Sequence, residues 1–264
     1  MNIRKIESYL EIDKDGYIIN PTSSKKFQEK WIPVIEEVKE EYLKHFGDNL
    51  VSVYIRGSVA KGEAIENISD VDSFALVSLK DENIDIAWAK EFNASVKNRY
   101  PYTAGVEIAA IPIDELSDRK ADQIMIKTQS VCVYGKDLAK EIDPFKPGKD
   151  TAQHVRGIER EIDRTKKWLQ DNHTNEDIRQ RCTWLMKRIL RSGFELVMER
   201  SQKYTRDLYP SYEEFAKYYP DKKEEMYEVL ELAVNPTSNI NKINKVLNGV
   251  GMWIVKEIKD IFNN

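Results

Sequence analysis

The sequence predicts two domains of different class: an α/β domain over residues 1–145 and an all-α domain over residues 146–264. Three observations carry that reading. Compact β-branched and aromatic runs alternate with helical segments up to residue 134. The stretch Asp143-Pro144-Phe145-Lys146-Pro147-Gly148 gathers two prolines and a glycine, the composition of a linker. Beyond it nearly every segment has helical periodicity.

Taken in order, residues 1–22 read as a short extension, with Gly16-Tyr17-Ile18-Ile19-Asn20-Pro21 as a strand closed by a turn. Thr22 or Ser23 caps a helix through about His45, because Phe27, Trp31, Val34, Ile35, Val38 and Tyr42 recur at helical spacing. Gly47-Asp48-Asn49 stops it. Leu50 to Ile55 and Asp72 to Leu79 are strands, Ile84 to Val96 a helix, and Gly105 to Ile113 a third strand reaching Pro112. Ala121 to Thr128 is a helix and Ser130 to Tyr134 a short strand. After the linker come helices from Thr151 to Asp171, Asn175 to Lys203, Tyr212 to Tyr219 and Lys222 to Val234. A last one runs from Ser238 to Phe262 and bends at Gly249 and Gly251.

The 264 residues are 41% hydrophobic and 33% charged, which supports a packed core under a solvated surface. The formal net charge of -4 argues against non-specific wrapping of duplex nucleic acid. Charge divides unevenly. Residues 149–264 hold 21 Lys and Arg against 19 Asp and Glu, and residues 1–148 hold 20 against 26. That suits a cleft with metal on one wall and phosphate contacts on the other; ordinary surface variation accounts for it equally well. No apolar run approaches the ~18–20 residues of a membrane span, and no apolar segment follows Met1-Asn2-Ile3-Arg4-Lys5. Cys132 and Cys182 match no metal-ligand spacing. The expectation is a reduced, cytoplasmic protein with no membrane partner.

The chemistry lies in Tyr54-Ile55-Arg56-Gly57-Ser58-Val59-Ala60-Lys61-Gly62 and Ser69-Asp70-Val71-Asp72-Ser73-Phe74. Side chains alternate along a strand, so Asp70 and Asp72 share a face. Two carboxylates side by side repel unless a cation sits between them, and Mg²⁺ is the hard cation such a pair binds together with substrate phosphates. Gly57 allows close approach of a phosphate and Ser58 adds a hydroxyl donor. Glu107 stands in the otherwise apolar run Val106 to Ile111, where a charge is costly unless it faces a site or finds a partner. Lys61 faces the same turn or solvent. Arg56 faces the turn or pairs with a nearby carboxylate. The plainer alternatives are strand-start surface carboxylates for Asp70 and Asp72, and a lysine-paired or solvated strand glutamate for Glu107.

This pattern resembles the nucleotidyltransferase superfamily, which includes DNA polymerase β, poly(A) polymerase and the aminoglycoside nucleotidyltransferases. The strand, Gly57-Ser58, the eleven-residue gap, Asp70-x-Asp72 and a later-strand Glu107 carry the resemblance. The linker and helical C-terminal half extend it to the small two-domain bacterial members of the kanamycin type. The resemblance implies a nucleotidyltransferase domain on a mixed sheet, then a helical-bundle domain that binds acceptor and nucleotide, with the active site between them. It implies transfer of a nucleoside monophosphate from an NTP, ATP by preference, to a hydroxyl of a small molecule such as an aminoglycoside, with release of pyrophosphate. Asp70, Asp72 and Glu107 would hold two Mg²⁺ ions, with Glu107 as ligand of the second ion, as base, or as both. Gly57, Ser58 and Lys61 would bind phosphates, and the helical domain would supply a basic residue from Arg188, Arg191 and Arg206. The plainer alternative for these arginines is a solvated face laced with Glu195 and Glu199. For a polycationic acceptor, Glu195, Glu199, Glu213 and Glu214 are the carboxylates that could form an acidic pocket. Tyr204, Tyr209, Tyr212, Phe215, Tyr218 and Tyr219 read as interdomain packing or as a stacking surface. Two other functions remain open: nucleotidylation of a tRNA 3′ end or a partner protein, and a non-catalytic nucleotide sensor.

Overall fold

The computed structural model describes residues 8–262. They divide into two compact units: residues 19–145, and residues 8–18 with residues 146–262. The first is a mixed sheet with helices on both faces. Its elements are α1 (Ile32–Phe46), β1 (Leu50–Arg56), α2 (Gly57–Lys61), β2 (Val71–Val77), α3 (Ala89–Arg99), β3 (Val106–Glu107), β4 (Ala110–Pro112), α4 (Lys120–Gln129) and β5 (Ser130–Gly135). The strand order is β3-β2-β1-β5, with β4 also on β2. β1 is antiparallel to β2 and β5, while β2 is parallel to β3 and β4.

The strands read as near-continuous apolar runs because both sheet faces are covered. On one face Val53, Ile55, Val71, Ala75 and Val77 pack with Trp31, Val34, Ile35, Val38 and Tyr42 at the α1 side and Phe92 and Val96 of α3. On the other, Tyr54, Phe74 and Leu76 pack with Ile111, Leu116, Ile126 and Leu138. Each large apolar side chain among these contributes ~1.5–3 kcal/mol on full burial, so the sheet that carries the strand-end residues is held by packing on both faces.

The element limits differ from the sequence reading in several places, each with a local cause. Helix α1 begins at Ile32, not at residue 22. Residues 24–26 and 29–31 are separate 3₁₀ turns, the Ser23 hydroxyl accepts from Lys25 N–H, and the Ser23 N–H is taken by the Ala60 carbonyl. Pro33, in the first turn of α1, favours the start there. α3 starts at Ala89, because the Asp85 side chain accepts from Ala87 N–H and holds a turn before it. The strand expected at Gly105 to Ile113 is broken into β3 and β4. The expected strand at residues 16–20 is reduced to a single bridge, Ile12 with Ile18, around a turn in which Asp13 accepts from Asp15 and Tyr17.

The second unit is helical: α5 (Ile158–Trp168), α6 (Asn175–Glu195), α7 (Met198–Ser201), α8 (Leu208–Tyr218), α9 (Lys223–Val234), α10 (Ile240–Val246) and α11 (Met252–Phe262). Residues 8–18, read from sequence with the catalytic half, associate here: Leu10 bridges Tyr204 and the Tyr9 hydroxyl reaches Pro210 and Glu214. α5 starts at Ile158 rather than Thr151. The Glu195 carboxylate accepts from the N–H groups of Gln153, His154 and Val155, and Gly157 is left-handed, so these residues are irregular. The long α6 ends at Glu195, and the four-residue α7 completes the stretch. The expected bend falls at Gly249, whose backbone leaves the helical region between α10 and α11. Inside this unit the Tyr212 ring contacts Tyr227, and the rings of Phe215, Tyr219 and Trp253 contact one another. Cys132 and Cys182 are both free. No helix among the described residues is long and apolar enough to cross a membrane.

Candidate active site

Strand register assembles the site. Arg56 at the end of β1 pairs across the ladder with Asp72 of β2, and Asp72 pairs with Glu107 of β3. Residues opposite each other in a ladder share a face, so these three side chains form a row. Asp70 precedes Asp72 by two positions and joins the same face. Carboxylate oxygens of Asp70, Asp72 and Glu107 lie within 4.8 Å of one another. The sequence expectation placed these three together, and the structure brings them together.

Arg56 lies in the same cluster. Its Nη2 is 3.1 Å from Asp72 Oδ1 and 3.0 Å from Glu107 Oε1. Of the two orientations open to Arg56 from sequence, the structure takes the carboxylate pairing. Three converging carboxylates concentrate negative charge, and Arg56 is a cation set against it. All donors are hard oxygens at close spacing, so the residues fit a Mg²⁺-type ion.

Gly57, the first residue of α2, has φ +72°. A Cβ there would lie inside van der Waals contact of Asp72 Oδ2 and 3.1 Å from its Cγ. Glycine is therefore required both by the turn and by the carboxylate behind it. The Ser58 hydroxyl donates to Ser69 Oγ at 3.0 Å, and Ser69 Oγ also accepts from Ile65 N–H at 2.9 Å. Ser69 thus ties the glycine-serine turn to the entry of the Asp70-Asp72 strand. Lys61 Nζ is 3.2 Å from Glu63 Oε2 at the end of α2.

Two residues that the sequence reading did not single out position Glu107. The fully buried Tyr42 hydroxyl accepts from Ala109 N–H at 3.1 Å and sits 3.1 Å from Ser73 Oγ. Ser73 Oγ donates to the Glu107 carbonyl at 2.7 Å. These bonds satisfy the backbone where β3 breaks before β4. Burial pushes the Tyr42 hydroxyl well above the ordinary tyrosine range, with the Ser73 and Ala109 contacts working the other way. It is neutral and serves as a fixed hydrogen-bond bridge. Tyr42 lies in the apolar stripe of α1, so nothing local separates it from a core aromatic. Tyr42→Phe is expected to cost ~1–3 kcal/mol, the penalty for unsatisfied buried polar groups, readable as a lower urea midpoint with unchanged slope.

Arg188, Arg191 and Arg206 belong to the helical unit. Arg191 Nε donates to the Arg206 carbonyl at 2.9 Å, and Arg188 Nη2 donates to the Arg156 carbonyl at 2.6 Å. Burial holds the His154 imidazole below its ordinary value; Glu195 opposes this, and Arg206 and Arg191 add to it. Two of the four carboxylates considered for a polycationic pocket are committed elsewhere. Glu195 is occupied by three backbone N–H groups and His154. Glu214, 3% exposed, is occupied by Lys203, Lys217 and Tyr9.

Residues 34–131, which span α1 to the start of β5 and contain every residue of the row, match the family model of the nucleotidyltransferase domain. The chain carries a nucleotidyltransferase domain. It is accordingly an enzyme of the nucleotidyl-transferring class, and its mixed sheet and helical C-terminal region are those expected from the sequence. Among solved structures, a spectinomycin adenyltransferase from Enterococcus faecialis, crystallised with ATP and spectinomycin, is similar at 16% identity and a TM-score of 0.46. The similarity covers 83% of this chain and 99% of that one. No curated protein is a significant match.

Proposed function

We propose that this nucleotidyltransferase moves a nucleoside monophosphate from an NTP, ATP by preference, to a hydroxyl of a small-molecule acceptor, releasing pyrophosphate. The convergence of Asp70, Asp72 and Glu107 beside the Gly57-Ser58 turn, inside the matched domain, supports the reading. Asp70 and Asp72 would hold Mg²⁺, with Glu107 as a further ligand for a second ion. Bound there, the metal would supply charge neutralisation for the triphosphate and the leaving group.

The chain's own groups divide the remaining work. Gly57 and Ser58 cradle β- and γ-phosphate oxygens, with Lys61 as a further cation. Arg188, Arg191 and Arg206 of the helical unit are further candidates for phosphate contact, since a guanidinium fork matches phosphate geometry. The acceptor oxygen attacks the α-phosphorus and forms a new O–P bond. The bond from that phosphorus to the oxygen bridging to the β-phosphate breaks, and pyrophosphate leaves with the electron pair. The acceptor's hydroxyl proton passes to the Glu107 carboxylate.

The acceptor is tested by mass spectrometry on a panel of aminoglycosides and other polyhydroxylated antibiotics, with total tRNA and protein lysate as separate arms. A small molecule gaining one nucleotidyl group, only with active protein, is the expected result. Labelling confined to RNA or protein would move the acceptor to a macromolecule.

A further inference from the structure

We propose that Arg56 is a resident counter-ion that competes with divalent metal for Asp72 and Glu107, and so sets the site's affinity for free metal when no nucleotide is present. The inference rests on the metal reading above and concerns what this chain adds to it.

One nitrogen, Arg56 Nη2, makes both contacts, 3.1 Å to Asp72 and 3.0 Å to Glu107. These are charge-assisted distances. The guanidinium therefore sits between two of the three carboxylates whose oxygens converge within 4.8 Å. That is where a divalent ion held by the same oxygens belongs. Strand register fixes this placement: Arg56, Asp72 and Glu107 are consecutive across the β1-β2-β3 ladder. The Arg56 and Asp72 side chains are 24% and 19% exposed, so salt and water screen the pair less than a surface ion pair.

The consequence is selective loading. With the guanidinium in place, a free divalent ion must displace a positive charge already paired to both acids. A metal arriving on a triphosphate brings phosphate oxygens to a turn that begins at the next residue, Gly57, and these give the displaced guanidinium new acceptors. The site thus disfavours metal alone and admits metal with nucleotide.

The test is Mn²⁺ binding to metal-free protein without nucleotide, read from the electron paramagnetic resonance of free Mn²⁺, for wild type, Arg56→Gln, Arg56→Lys and Asp72→Asn. Arg56→Gln is expected to bind Mn²⁺ about tenfold more tightly than wild type, equivalent to ~1.4 kcal/mol of removed competition. Arg56→Lys, which keeps the charge without the fork, falls between them, and Asp72→Asn binds at least about tenfold more weakly. If Asp72→Asn loses binding while Arg56→Gln matches wild type or binds more weakly, competition by Arg56 is overturned and the metal reading stands. If wild type and Asp72→Asn bind alike, the metal reading itself fails and the proposal falls with it. A measurement on the unaltered side chain covers the case in which Arg56→Gln does not fold. The guanidinium NMR signal missing from Arg56→Lys should shift on Mg²⁺ addition to wild type; a signal unmoved at saturating Mg²⁺ overturns the proposal.

Discussion

Asp72→Asn is expected to lower kcat/KM for nucleotidyl transfer by at least ~10³-fold, equivalent to ~4 kcal/mol of lost transition-state stabilisation. The substitution keeps the side chain's shape and removes one charge from the three that converge within 4.8 Å. Asn still accepts a hydrogen bond from Arg56, which also retains Glu107 at 3.0 Å. Removing one of three mutually repelling acids relieves the folded state, so the melting temperature is expected to hold or rise. Activity lost at unchanged stability is the signature of a group placed for chemistry; loss of both would mark Asp72 as structural. Asp70→Asn is expected to behave in the same way.

Gly57→Ala should carry the second large effect, and here activity and stability fall together. The added Cβ overlaps Asp72 Oδ2, so the carboxylate must rotate out of the cluster. The φ of +72° adds a backbone penalty of ~1–2 kcal/mol for a residue with a side chain. Activity is expected to drop at least ~100-fold, because a displacement of about 1 Å at a metal-ligating group is costly. The two causes separate in a double-mutant cycle. In an Asp72→Ala background the collision is gone, and the stability cost of Gly57→Ala should shrink to the backbone penalty. An equal cost in both backgrounds would refute the contact with Asp72.

Much of this site was legible in the chain because its parts are local. Gly57-Ser58 and Asp70-x-Asp72 lie on adjoining ends of consecutive strands, so their spacing alone sets them near one another. Glu107 was visible as the one charge in an apolar run. Arg56 was visible as a cation that would face either the turn or an acid, and only the β1-β2-β3 register decides between them. Tyr42 and Ser73 were not legible, since their bond spans 31 positions and Tyr42 has the spacing of a core residue. The errors in helix limits have two origins: local turns such as the one Asp85 holds before α3, and tertiary hydrogen bonds that took over backbone groups periodicity assigned to a helix. Glu195 drawing in the N–H groups of residues 153–155 is the clearest case, because the acceptor lies 40 or more positions from the donors. Of the four carboxylates read as an acidic pocket, Glu195 is engaged by those N–H groups and His154, and Glu214 by the side chains of Tyr9, Lys203 and Lys217.

The decisive measurement is pyrophosphate release by wild type and Asp70→Asn with each of the four NTPs, in Mg²⁺ and again with a chelator, across the acceptor panel. Release by wild type that depends on Mg²⁺ and an acceptor, and vanishes in Asp70→Asn, is the predicted result. Equal release by Asp70→Asn, or release that persists in chelator, would contradict a metal-bearing carboxylate site at the end of this sheet.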